Sequence, residues 1–105
     1  MTPRALSDAI DTGAAPAILD VRTPVEYAAG HVRGAINIPF NEVGRRASEL
    51  GSRRERPLIV YCGHGPRAWM AGVVLRRHGF RYIRFLSGHM AGWRRAGLPE
   101  ERGQS

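Results

Sequence analysis

Four short apolar runs punctuate this chain, at residues 17–21, 35–38, 58–61 and 82–85, and each leads through a turn into a segment that reads as helix. The first and third runs are almost continuously apolar, which suits strands buried on both faces. Strands alternating with helices close as a small three-layer α/β domain, with a central, mainly parallel sheet flanked by helices. In such sheets ligands sit outside the carboxyl ends of the strands, where the strand order reverses. Two stretches fall at that edge: Asp20-Val21-Arg22 after the first run, and the residues after Tyr61.

The helical segments carry their own punctuation. Thr2-Pro3 reads as an N-cap with proline in the first turn, and Leu6, Ala9 and Ile10 share one face up to Gly13. Thr23 and Glu26 have capping-box spacing around Pro24, and that position accounts for Glu26 as a cap partner rather than an acid catalyst. Phe40, Val43, Ala47 and Leu50 predict a helix that Gly51 ends, followed by a charged surface loop over 52–56. Ala68, Ala71, Leu75 and His78 line a longer helix, widened by Met70 and Val74 and closed by Gly79. A last short helix is expected around 90–95. Residues 1–99 then make one domain, and 100–105 a frayed tail.

Residues 58–68 carry the chemistry. The strand Leu58-Ile59-Val60-Tyr61 runs into Cys62, the only cysteine, then through Gly63-His64-Gly65-Pro66-Arg67 into the helix beginning near Ala68. A strand, a glycine-bearing loop and a helix start make backbone N–H groups converge on one point. A cysteine there sits in a positive local field, which favours the nucleophilic thiolate. Arg67 adds a full charge and a planar fork of donors for an oxyanion. A lone cysteine after an apolar strand also describes a small buried hydrophobe. That reading needs neither two glycines nor an arginine beside it.

Charge narrows the partners. The formal net charge is +7, and all 16 basic residues are arginine. The arginines are scattered, in pairs but never in a long run, and no aromatic pattern interleaves with them. A field that steers small anions accounts for the charge better than nucleic-acid binding does. No apolar run approaches the roughly 20 residues a membrane span needs. A single cysteine forms no internal disulfide, so a reducing, cytoplasmic setting is expected. Four histidines and one cysteine lack ligand spacing, and neither a metal nor another cofactor is implied.

Several motifs in order resemble the rhodanese-like domain family. Leu19-Asp20-Val21-Arg22, Glu26-Tyr27 and the stretch from Gly30-His31-Val32-Arg33-Gly34 to Pro39 resemble its first half. The strand into Cys62, the Cys-x-x-Gly-x-Arg loop, Leu86-Ser87-Gly88, Trp93 and Gly97-Leu98-Pro99 resemble its second. The resemblance implies a sulfurtransferase that carries sulfur as a persulfide on Cys62. Gly63, His64, Gly65, Pro66 and Arg67 would form the cradling loop. Asp20 and Arg22 would be a supporting ion pair, and His31 a structural histidine. His89 departs from the pattern, since a second glycine usually follows Gly88, and the turn is where that departure should tell.

Loop length separates sulfur from phosphate chemistry. Four residues lie between Cys62 and Arg67, one fewer than in the phosphatases of related fold, which favours a loop closed around a single sulfur atom. The expected partners are a small anionic sulfur donor such as thiosulfate, with the carboxylate-bearing mercaptopyruvate as another option, and a thiol or cyanide acceptor. A module of another class, a sulfur carrier or regulatory domain loaded by a relay partner protein, is the alternative.

Overall fold

A computed structural model describes residues 1–103. Strands β1 (Ala17–Asp20), β2 (Ile36–Asn37), β3 (Leu58–Tyr61) and β4 (Ile83–Phe85) form one parallel sheet in the order β2-β1-β3-β4. The chain steps outward from β1 to β2, then returns to the other side of β1 for β3. The order therefore reverses between β1 and β3, whose last residues, Asp20 and Tyr61, are register partners. Both sequence-marked stretches leave the sheet at this point.

Helices α1 (Pro3–Asp11), α2 (Pro24–Ala29), α3 (Val43–Arg46), α4 (Pro66–Arg77) and α5 (His89–Arg95) cover the two faces. Side chains alternate along β3. Leu58, Val60 and the following Cys62 face a cluster containing Val43, Ala47, Leu50, Ala68, Ala71 and Leu75. Ile59 and Tyr61 face the opposite cluster, with Leu6, Tyr27, Met90 and Trp93. Each fully buried aliphatic side chain contributes about 1.5–3 kcal/mol. The alternation also decides that Cys62 opens on the α4 side. The caps read from the sequence are formed: Thr2 Oγ1 accepts from the Ala5 N–H at 3.1 Å, and Thr23 and Glu26 make the reciprocal capping box.

Two expectations are corrected. The helix expected from Phe40 to Leu50 is a 3-10 turn (Phe40–Glu42), a single α turn (α3) and a second 3-10 segment (Ala47–Glu55). Its apolar face is buried as expected, because residues three apart align in either geometry. Gly51, with φ 58° and ψ −130°, bends the segment rather than ending it. The arginines beyond supply the reason. Arg53 and Arg54 donate to the carbonyls of Leu50 and Gly51, each at 3.1 Å, and Arg54 lies over the Phe80 ring at 4.9 Å. The presumed loop is thus tied down as helical turns.

The end of the chain is docked where fraying was expected. Glu101 and His31 exchange backbone hydrogen bonds of 2.8 Å, and Gly103 N–H donates to the Ala28 carbonyl at 2.8 Å. The Trp93 indole N–H holds the Pro99 carbonyl at 2.9 Å, which aims the segment back across the fold. Of the expected tail, residues 104–105 lie outside the described ones.

Candidate active site

Cys62 is the first residue beyond β3, with 1% of its surface exposed. The loop turns back at Gly65, whose φ of 141° lies in the region that favours glycine, and Pro66 opens α4. Gly65 N–H donates to Cys62 Sγ at 3.0 Å. The backbone amides of Ala68 and His64 also favour the thiolate. The loop carbonyls are held elsewhere: Cys62 O accepts from Met90 N–H at 2.9 Å and Gly63 O from Ala91 N–H at 3.1 Å. The first turn of α5 thus satisfies the loop's acceptors, leaving its donors for the sulfur.

Burial pushes the Cys62 thiol up. The His89 ring beside it and the amides of Ala68, Gly65 and His64 outweigh it, bringing the pKa from 9.0 down to about 7. The thiolate is therefore well populated near neutrality, and the Arg67 charge also acts on it.

His64, assigned to the loop from sequence, is exposed, and its amide is the part that serves the sulfur. The histidine against Cys62 is His89. Its Nδ1 accepts the Cys62 N–H at 3.2 Å. It follows Gly88 (φ 74°) and itself has φ 55°, the only positive φ at a non-glycine among the described residues. The turn expected to be affected by the missing glycine keeps its left-handed conformation, with an imidazole carried into the site.

Arg67 is paired. Its guanidinium donates to both Glu26 carboxylate oxygens, at 2.7 and 3.0 Å. The Arg67 fork holds the Glu26 carboxyl well below the usual range, at about 2. The capping assignment for Glu26 was right but incomplete. The same carboxylate caps α2 and neutralises Arg67, so the loop offers an ion pair where a bare cation was expected.

Asp20 and Arg22 form a buried, forked pair. Arg22 Nη2 lies 2.8 Å from Asp20 Oδ2, and Nε reaches both oxygens at 3.1 Å. Nη2 also donates to the Gly30 carbonyl at 2.6 Å, and the guanidinium lies 5.7 Å from the Tyr61 ring centroid. The pair clamps the end of β1 to the turn after α2, beside the strand that presents Cys62. His31 stacks on Tyr27 at 3.7 Å and is fully buried. Among the described residues no group of three or more His, Cys, Asp or Glu is placed to hold a metal ion, and no helix is long and apolar enough to cross a membrane.

A sequence model of the rhodanese-like domain matches residues 2–96. The chain belongs to the rhodanese-like domain family. It is 41% identical over 88 residues to the HTH-type transcriptional regulator Rv0324 of Mycobacterium tuberculosis, covering 82% of this chain but only 38% of the regulator. It is 33% identical over 82 residues to a sulfurtransferase of Allochromatium vinosum, covering 78% of this chain and 75% of that protein. A rhodanese from E. coli, solved with anions, superposes with a TM-score of 0.70 at 30% identity, over 83% of this chain and 98% of that one. The rhodanese-like fold expected from the motifs is the fold observed.

Sequence reasoning missed two residues of the site, the second role of Glu26 and the place of His89. For Glu26 no local signal existed, because Arg67 lies 41 residues away. For His89 a signal was present. A histidine where glycine is expected must carry left-handed strain, and strain of that kind collects at functional sites.

Proposed function

We propose that this domain accepts sulfane sulfur on Cys62 as a persulfide and passes it to a thiophile. The observation that carries the reading is a buried thiol with a pKa of about 7 at the start of the loop into α4, its sulfur accepting from the Gly65 N–H and the His89 ring held on the Cys62 N–H. The Cys62 thiolate attacks the outer sulfur of an anionic donor such as thiosulfate. The donor's S–S bond breaks and sulfite leaves with its electron pair. Cyanide or a thiolate then attacks the outer sulfur of the persulfide and returns the Cys62 thiolate. At each stage the loop amides meet an anionic sulfur without reorganising, as an oxyanion hole meets its oxygen. The short loop favours one sulfur atom over a phosphate group.

The test is turnover. Thiosulfate and cyanide should yield thiocyanate with the natural protein, and Cys62→Ser should abolish it while the thermal transition is retained. Turnover persisting in the folded variant would sink the proposal.

A second reading has its own support in the 41% identity to a transcriptional regulator of which the chain spans 38%. In it the domain is a carrier or regulatory module that a partner protein loads. A small donor loading Cys62 unaided separates the two.

A further inference from the structure

Trp69 and Met70 stand side by side on α4 and are 65% and 53% exposed, although side chains of their size gain most from burial. They rim a groove of about 610 Å³ between α4 and the chain around α3. Phe40 and Val74 also line it, and both pack against the buried cluster on this face of the sheet. The floor of the groove is therefore continuous with the core. Gly44 keeps it open, since a Cβ there would meet Val74 Cγ1 at 3.3 Å. An apolar surface of this kind marks an interaction site. A trough suits side chains that enter it rather than a flat surface.

The charge around the groove is mostly of one sign. Met70, Val73, Val74 and Arg77 have the spacing of one face of α4, and Trp69, Val73 and Arg76 that of the adjoining face. Arg76 and Arg77 are exposed and form no ion pair among the described residues. Their place in the last turn suits the helix dipole and leaves both guanidinium groups free to pair. On the opposite wall Arg45 is 74% exposed. Glu42 is shared between Arg45 and Arg46, at 3.0 Å from each, and Glu49 holds Arg46 at 2.7 Å. Four arginines thus meet two carboxylates. A second copy of this chain would bring the same arginines, against a net charge of +7.

We propose that this groove docks an acidic amphipathic helix of a partner protein. Two apolar side chains one turn apart enter over Phe40 and Val74, between the Trp69 and Met70 rim and the α3 wall. Carboxylates on the flanks of the helix pair with Arg76, Arg77 and Arg45. The stretch from Trp69 to Val73 rises about 6 Å, which matches the i and i+4 anchors of a helix laid in a groove. Docking here does not use Cys62 and stands apart from sulfur transfer.

The probes are synthetic helical peptides of about 16 residues, added to the full chain. One carries two leucines a turn apart among glutamates, a second has lysines for the glutamates, and a third has alanines for the leucines. The acidic leucine peptide should shift the Trp69 indole and Met70 methyl NMR signals saturably. It should bind about tenfold more tightly than either control. Trp69→Ala and Met70→Ala, both at exposed positions, should each weaken it about tenfold. Arg76→Glu with Arg77→Glu should weaken it about fivefold and flatten its salt dependence. Cys62→Ser should bind it as the natural protein does, so the fate of this site and that of the sulfur-transfer reading are read separately. Absence of saturable shifts, equal binding of the lysine peptide, or unchanged affinity in the groove variants would overturn the proposal. A dimer in sedimentation that Met70→Ala dissociates would also overturn it, by assigning the face to a second copy. Binding to vesicles of anionic lipid that Trp69→Ala abolishes would do the same, by assigning the face to a membrane surface.

Discussion

The ends of β1 and β3 lie side by side, yet they treat an anion in opposite ways. At the end of β1 the Asp20 carboxylate meets a full cation in a forked, buried pair, with 0% and 3% of the two side chains exposed. At the end of β3 the Cys62 sulfur meets backbone amides and one imidazole. The nearby guanidinium, Arg67, is held by Glu26 in a pair that is 30% and 38% exposed. A full ion pair fixes a charge and ends its chemistry. Partial charges hold an anion in place while leaving its lone pairs available to attack. The fold uses the first arrangement to clamp the sheet edge and the second to present a nucleophile.

The largest expected effect breaks the clamp. Asp20→Asn leaves the Arg22 charge buried without its partner and should cost about 3–5 kcal/mol in urea unfolding. A loss below about 1 kcal/mol would show that the pair does not hold the strand end.

The next effect lies on the open side of the comparison. The folded pKa of Cys62 is depressed, to about 7 from 9.0. The stabilisation linked to its thiolate is therefore present above pH 9 and lost as the pH falls through about 7. The loading rate should rise about tenfold per pH unit below that midpoint and level off above it. Glu26 is held ionised down to about 2, so the Arg67 pair adds no inflection in this window. A midpoint near 9 would mean the amides and His89 do not lower the thiol.

The smallest effect sharpens the contrast between the two arginines. Glu26→Gln keeps a side chain able to cap α2 and removes the charge that occupies Arg67. The KM for thiosulfate should fall about threefold to fivefold. An unchanged KM would place the ion pair outside the donor's path.

Much of this was legible in the sequence because it is local. The strand ends, the caps at Thr2 and Thr23, and the Cys62 loop are each written within a few consecutive residues. The Asp20–Arg22 pair was legible too, being two residues apart at a strand end. What escaped depends on the fold bringing distant segments together. Glu26 meets Arg67 across the switch point, and the turn after β4 lays His89 against the Cys62 amide. The docking of Glu101 on His31 escaped for the same reason, since a short polar terminus says nothing of the strand-like partner waiting for it. The 3-10 character of the segment around α3 was hidden because its apolar spacing fits two helix types.

The central claim is that Cys62 carries the transferred sulfur. The most direct measurement is the intact mass of the protein before and after thiosulfate, without reductant, beside Cys62→Ser. The account predicts a gain of one sulfur atom in the natural protein alone, removed by cyanide with release of thiocyanate. Folded protein with a free thiol that gains no sulfur from thiosulfate or mercaptopyruvate would contradict it.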